Sequence, residues 1–279
     1  MVEKQKTLTS TIVFTFLVMA LIVFAFPFFL LIINSFKSNG EILQSPFSLP
    51  NSYSFDQFVM AIEKMNFVVT IFNSLIITLL STVFILLFSG MAAYYIVRVK
   101  SKFNNILFAI LVASMIIPFQ SIMIPLINIY GSKLQWIDSA PIPLLIALNI
   151  GFGGSLSVFI FHGFIKSIPF ELEEAASIDG STPKQTFFKI ILPILMPTSV
   201  TIGILNVMWL WNDYLLPSLI LNNEALYTLP IQMKVFNGTY MNNWELLIPA
   251  ILLTILPILV FYLIGQRMII EGITQGSVK

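Results

Sequence analysis

Cysteine is absent from this chain of 279 residues, and histidine occurs once. Without cysteine there is no disulfide and no thiolate metal site. His162 alone cannot build a multi-histidine metal centre or a histidine relay. Charge is scarce as well. Asp, Glu, Lys and Arg make up 10% of the residues, against about 25% in a soluble domain. So few charges cannot cover a surface that faces water, and a net charge of +1 offers no grip on nucleic acid. What is abundant is apolar: 57% of the residues are hydrophobic. The bilayer must be the solvent for most of this surface.

A spanning helix needs about 20 mostly apolar residues. Six segments meet that requirement: Thr11–Ile33, Thr70–Val97, Ile106–Tyr130, Ile142–Ile165, Ile194–Pro217 and Ile248–Ile270. The expected fold class is therefore all-α, a polytopic membrane protein with six transmembrane helices. The first run follows Lys4 and Lys6, as a secretory signal would. It is longer than the core of such a signal, about 7–15 residues, and no A-x-A site follows it. It is expected to be a retained helix. Pro27, Pro118, Pro125, Pro197, Pro249 and Pro257 lie within the spans or near their ends, where neighbouring helices can satisfy the freed carbonyls. There is no internal repeat and no low-complexity tract. Residues 1–10 are expected to be a cytoplasmic N-terminus and 11–279 a single transmembrane domain.

The loop cations set the orientation. With a cytoplasmic N-terminus, the inner segments hold Lys4, Lys6, Arg98, Lys100, Lys102, Lys166, Lys184, Lys189, Arg267 and Lys279. The outer loops hold only Lys37, Lys64, Lys133 and Lys234. Arg98, Lys100 and Lys102 form the strongest anchor, and both termini are expected to be cytoplasmic. The outer stretches 34–69 and 218–247 contain Pro46, Pro50, Tyr53, Phe55, Pro230, Gly238 and Trp244. They are too aromatic for loose linkers, and each should pack against something.

Residues 166–193, between the fourth and fifth spans, differ from the other connections in being both long and charged. Pro169 suits the first turn of a helix, and Glu171, Glu173 and Glu174 lie early in it, where the dipole favours anions. Gly180 can take the left-handed conformation that ends a helix. Thr182 and Gln185 match a capping box, with Pro183 at the first helical position. A second helix should run over Phe187, Phe188 and Ile191 and stop before Pro193. Two physical readings stand: an amphipathic hairpin resting on the lipid surface, or a stiff helix–turn–helix that docks on a soluble motor and passes force to the spans.

Glu174-Ala175-Ala176, then Asp179-Gly180, then Leu192-Pro193 resembles the EAA motif of ABC-importer permeases. The glutamate, both alanines, the Asp-Gly pair and the Leu-Pro pair all stand at the family's spacing. The tail is similar to that of the carbohydrate-importer branch: Gln266, Arg267, Gly272, Gly276, Ser277, Val278 and Lys279, with Ser277 where alanine is commoner. Ile117-Pro118-Phe119-Gln120 and the run from Trp209 to Tyr214 also resemble that branch, and the likeness covers most of the chain. It is nearest to the shorter, maltose-transporter-G-like permease. The resemblance implies a sugar-importing, binding-protein-dependent inner-membrane component whose substrate is an oligosaccharide. It implies a coupling role for Glu174, Ala175, Ala176, Asp179, Gly180, Leu192 and Pro193. The implied partners are a second homologous permease, two ATPase subunits, an extracellular solute-binding protein and membrane lipid, with no nucleic acid. The chain itself would bind no cofactor, ATP and Mg residing on the ATPase. Consistently, no G-x-x-x-x-G-K-[ST] run is present.

Asp213 is the only acid inside an expected span, which makes it a functional candidate. Nineteen residues after Ile194 it stands about 28 Å along the helix, near the outer interface. It could serve the sugar path or a structural hydrogen bond. Gln120, Asn149, Asn206 and Asn212 could line a pathway or bond between helices. Trp209 and Trp211 could stack on a sugar or belong to an aromatic belt. The candidates for the path are Gln120, Asn149, Trp209, Asn212 and Asp213. His162, at the inner end of the fourth span, reads as a packed or interfacial side chain. An ion-coupled secondary carrier is the alternative, but it needs acids and bases near the midplane, and this chain has almost none. A membrane-embedded enzyme would need a nucleophile–base pair or a metal cluster, and neither is present in the spans.

Overall fold

The computed structural model describes residues 2–236 and 243–277, with side chains for 10–236 and 243–266. Gly238, Val278 and Lys279 lie outside the described residues, and the side chains of Lys4, Lys6 and Arg267 outside the described side chains. Every regular element among them is helical. In chain order these are α1 (Val2–Asn34), α2 (Asn39–Gln44), α3 (Asp56–Lys64), α4 (Phe67–Arg98), α5 (Lys102–Ser114) and α6 (Phe119–Ile127). A π-helical turn (Asn128–Lys133) leads to α7 (Trp136–Ser139) and α8 (Pro141–Ile165). Then come α9 (Glu171–Ile178), α10 (Pro183–Thr186), α11 (Leu192–Asn212), α12 (Leu215–Ile220), α13 (Leu229–Gln232) and α14 (Trp244–Ser277). Among the described residues, five helical stretches are long and apolar enough to cross a bilayer, and a bent pair, taken as one span, brings the number to six.

That bent pair corrects the third expected span. Ile106–Tyr130 is not one straight helix: α5 and the stretch Phe119–Lys133 meet at 99°. The cause is local. Pro118 disfavours helical backbone in the residue before it, so α5 ends in a tightened turn with Met115, Ile116 and Ile117 N–H groups bonded to Val112, Ala113 and Ser114 carbonyls.

The fifth span is corrected at both ends. It begins at Pro183 rather than Ile194 and ends at Asn212 rather than Pro217. At the start, the helix does not stop before Pro193. Proline lacks an N–H and its ring clashes with the carbonyl four residues back. The helix widens over Phe187–Ile191 into a π turn, in which the Leu192 N–H reaches the Phe187 carbonyl, and then continues as α11. At the other end Asp213 turns extended (ψ 123°) and its Oδ1 accepts the Leu215 N–H at 3.0 Å, which starts α12.

The described residues fall into two compact units. The first combines Met1–Phe67 with Met233–Leu256. Its connecting stretch gathers its aromatic rings around Phe36, although Tyr53 and Phe55 stay exposed. Phe36 meets Tyr53, Phe55 and Phe58 at 5.5–5.6 Å. Lys37 is fully buried and donates Nζ to the Ser45 carbonyl at 2.9 Å. Ser38 and Glu41 form a capping box on α2, and the Ser38 backbone N–H holds the Glu41 carboxyl below its ordinary range. Asn39 and Glu245 exchange backbone-to-side-chain bonds.

The second unit combines Val68–Gln232 with Pro257–Lys279. It has two apolar cores. One gathers Leu126, Leu144, Leu145, Leu216, Ile220 and Tyr227. The other gathers Ala93, Ile96, Phe161, Ile165, Phe187 and Ile191. Between α4, α8 and α11 runs a seam of small and polar residues. Without a hydrophobic force between helices in lipid, such side chains bring backbones close and bond across. Asn149 donates to Ser81 at 3.1 Å, Asn206 to Ser157 at 3.2 Å, and Ser89 to the Gly154 carbonyl at 3.3 Å. At Gly153 a Cβ would stand 2.7 Å from both Asn206 Oδ1 and Ile85 Cδ1. Gly153→Ala is therefore expected to destabilise the protein by about 1–3 kcal/mol, the usual cost of overpacking. Thermal unfolding in detergent checks it; an unchanged melting temperature would mean that α4 and α11 separate freely here.

Candidate functional site

The segment between α8 and α11 has the local geometry expected of a stiff helix–turn–helix. Glu171, Glu173 and Glu174 occupy the first turn of α9. Pro169 does not, because the N-cap is Phe170 and the proline precedes it. Gly180 takes φ +79°. Its N–H bonds the Ser177 carbonyl at 3.0 Å and the Ser181 N–H the Ala176 carbonyl at 2.9 Å, a Schellman ending. Thr182 and Gln185 form the capping box and Pro183 opens α10.

This hairpin is anchored on one side and open on the other. Ala176, Phe187 and Ile191 are buried, and Leu192 packs on the same core. Glu174, Ala175, Asp179, Gly180 and Pro193 are exposed. A shallow groove of about 270 Å³ runs beside them, lined by Tyr94, Glu173, Glu174, Ser177, Ser181 and Thr186. Sequence reasoning missed the anchor. Glu173, not Glu174, is the buried acid, 8% exposed. Its Oε1 accepts from Arg98 Nε at 2.6 Å and its Oε2 from the Tyr94 hydroxyl at 2.7 Å. Glu173 stands three residues before the buried Ala176, on the same helix face, and that spacing was the available signal. Arg98 is thus more than a topology anchor.

The five candidates for a solute path separate into two groups. Gln120, Trp209 and Asp213 line one cavity of about 220 Å³ with Phe119, Phe152, Leu215 and Leu216. A second, of about 230 Å³, opens at the break in the third span beside Ser114, Ser155 and Gly151, and shares Phe119 and Phe152. Asn149 is 1% exposed and spends its amide on Ser81. Asn212 donates to the Met208 carbonyl of its own helix. Asn206 bonds between helices, as its structural reading expected. Trp211 is buried, so it neither faces a solute nor joins a belt, whereas Trp209 is 43% exposed. The His162 ring stacks on Phe108 at 3.8 Å, a packed histidine.

Long apolar helices, a broken span and an anchored polar hairpin define a multi-pass membrane transport subunit. Residues 85–269, more than half of the chain, match the family described as binding-protein-dependent transport system inner membrane component, and the chain belongs to that family, the permease subunits of ABC importers. It is a transport subunit rather than an enzyme, and the secondary-carrier alternative is not favoured. Similar proteins include the probable starch degradation products transport system permease AmyC of Thermoanaerobacterium thermosulfurigenes, 40% identical over 91% of both chains. The multiple sugar-binding transport system permease MsmG of Streptococcus mutans is 36% identical, again over 91% of both. The melibiose/raffinose/stachyose import permease MelC of Bacillus subtilis is 35% identical over the same shares. Among solved structures, a bacterial ABC transporter that imports the acidic polysaccharide alginate shares the fold, with a TM-score of 0.76 at 20% identity, covering 94% of this chain and 97% of that one.

Proposed function

We propose that this chain is one of two homologous permeases of an importer that moves an oligosaccharide inward, driven by two ATPase subunits that carry the ATP and Mg. The observation that carries the reading is the hairpin at 166–193: capped at both helices, anchored by Glu173, and presenting Glu174, Ala175, Asp179 and Gly180 outward. A loop on lipid needs no such rigidity; a lever does. The π turn adds to this, because it makes α10 continuous with α11. A push on the hairpin is then delivered to a span of 30 residues without a flexible joint. The sugar class rests on the three similar permeases, named for starch degradation products, for multiple sugars, and for melibiose, raffinose and stachyose.

In this reading both termini and the hairpin are cytoplasmic, as the cation count requires. The whole membrane region acts as a single domain. An extracellular binding protein delivers the sugar and contacts the outer stretch 218–247. Gln120, Trp209 and Asp213 offer an amide, a stacking ring and a carboxylate to a sugar, while Asn149 and Asn212 hold helices. Glu174, with the exposed Ala175, Asp179, Gly180 and Pro193, forms the contact with the ATPase, while Ala176 and Leu192, which sequence placed in the same role, instead seat the hairpin on the core.

The test is Glu174→Lys. Reversing a charge at a recognition contact lowers sugar uptake at least about tenfold, with membrane levels unchanged and with less ATPase recovered when the chain is pulled down with its natural neighbours. Normal uptake and normal recovery would reduce 166–193 to a surface loop.

A further inference from the structure

Arg98 and Tyr94 stand one turn apart on α4, on the same face, and between them they reach the hairpin at Ile168, Phe170, Glu173 and Phe187. Arg98 Nε donates to Glu173 Oε1 at 2.6 Å and its Nη2 to the Ile168 carbonyl at 3.1 Å. Its guanidinium lies 5.7 Å from the Phe170 ring. The Tyr94 hydroxyl donates to Glu173 Oε2 at 2.7 Å, and its ring lies 5.3 Å from that of Phe187 on the π turn. Ile168, Glu173 and Phe187 are all buried. The hairpin is joined through the backbone to α8 and α11. Among the described residues, its own direct contacts with α4 run through these side chains and the apolar core beside them.

We propose that Arg98, Glu173 and Tyr94 form the rigid joint that carries motion of the hairpin into α4, and that all three are positioning residues for transport. The proposal rests on reading 166–193 as the coupling element. Apolar packing alone would let α9 slide along α4. A carboxylate held at both oxygens, by an arginine that also grips a backbone carbonyl, has one orientation and no slack. Burial strengthens the pair against screening by salt. Glu174, one residue on, is exposed and outside this joint, as is Glu171, so α9 divides its three acids: one is fixed inward to α4 and two are exposed.

The test uses the complete transporter, with its natural partner subunits and binding protein, in proteoliposomes and with a sugar that the wild type imports. ATP hydrolysed per sugar imported is the readout, because loss of folding or assembly lowers both and leaves their ratio alone. Glu173→Gln is expected to lower import about tenfold and hydrolysis less than about twofold, raising the ratio at least about fivefold, within what mutation of a coupling element moves. Tyr94→Phe, which leaves one oxygen unheld, should raise it about twofold. Arg98→Lys should fall between, since an ammonium can meet Glu173 but lacks the planar fork that also holds Ile168. Should Glu173→Gln fail to assemble, Arg98→Met with Glu173→Leu leaves no unpaired buried charge, and the same rise is expected there. An unchanged ratio in assembled variants, with Glu174→Lys inactive, would overturn the joint and leave the coupling reading standing. Normal import in Glu174→Lys as well would overturn that reading itself.

Discussion

Gly180→Pro is expected to abolish sugar uptake in cells that hold ordinary amounts of the protein in the membrane. Three costs coincide at this position. Gly180 has φ +79°, and proline is locked near −65°. The Gly180 N–H that bonds the Ser177 carbonyl is lost. The Ser181 N–H bond to the Ala176 carbonyl depends on the same left-handed turn and goes with it. Proline in place of a bonded helical residue costs about 3 kcal/mol or more, and here the turn must also change hand. The spans are untouched, so insertion proceeds, and the damage falls on the angle between α9 and α10. Gly180→Ala separates conformation from bulk. Nothing lies within 4 Å of the added Cβ, so its cost is the left-handed backbone alone, about 1–2 kcal/mol. Alanine should therefore leave partial uptake where proline leaves none. Equal uptake in the two variants, measured at matched membrane levels, would show that this turn need not be held.

The turn is also where sequence and structure agree most closely, and the reason is that its determinants are local. A left-handed glycine, a capping box and a proline at the first helical position act within a stretch of six residues, 180–185, so their spacing alone announces them. The spans were legible for a related reason: long apolar runs have few alternatives in a bilayer. The failures are instructive in the same terms. Pro118 and Pro193 both sit inside apolar runs, and sequence cannot say how each is accommodated. The first bends its span by 99° and the second is absorbed by a π turn. Which occurs depends on whether neighbouring helices leave room to turn. Around Pro193 they do not, because Phe187, Ile191 and Leu195 are fixed in one core. Nor could sequence pair Arg98 with Glu173, which lie 75 residues apart. Each had a sufficient local account, a cation for topology and an acid for the helix dipole, and the tertiary contact overrode both. The amide residues followed the same rule. Asn149, Asn206 and Asn212 are equivalent as letters, and only the packing of α4, α8 and α11 tells which faces another helix and which its own backbone.

Trp209→Ala is expected to raise the sugar concentration for half-maximal import about tenfold, while Asn149→Ala leaves it unchanged; a stacked aromatic face is worth a unit of affinity on that scale once its buried area is included. The two residues were alike as candidates and differ in surroundings. Trp209 stands 43% exposed on a cavity that also presents Gln120, Asp213 and the edge-to-face pair Phe119 and Phe152. That is a flat apolar wall with an amide and a carboxylate at its rim, suited to a pyranose with an apolar face and a hydroxyl edge. Asn149 is 1% exposed with its Nδ2 on Ser81, so its loss should appear as stability, about 1 kcal/mol for a bond between helices in a membrane protein. Uptake kinetics and thermal unfolding on the same two variants separate the roles, since each is expected to move one observable and spare the other. Gln120→Ala and Asp213→Asn extend the comparison and should follow Trp209, more weakly, because each removes one rim contact and leaves the wall. If Asn149→Ala raised the half-saturating concentration as much as Trp209→Ala, the solute would have to pass along the polar seam between α4 and α8. The buried Asn149 Oδ1 and Thr82 hydroxyl, which have no partner among the described residues, would then be groups that a passing sugar satisfies.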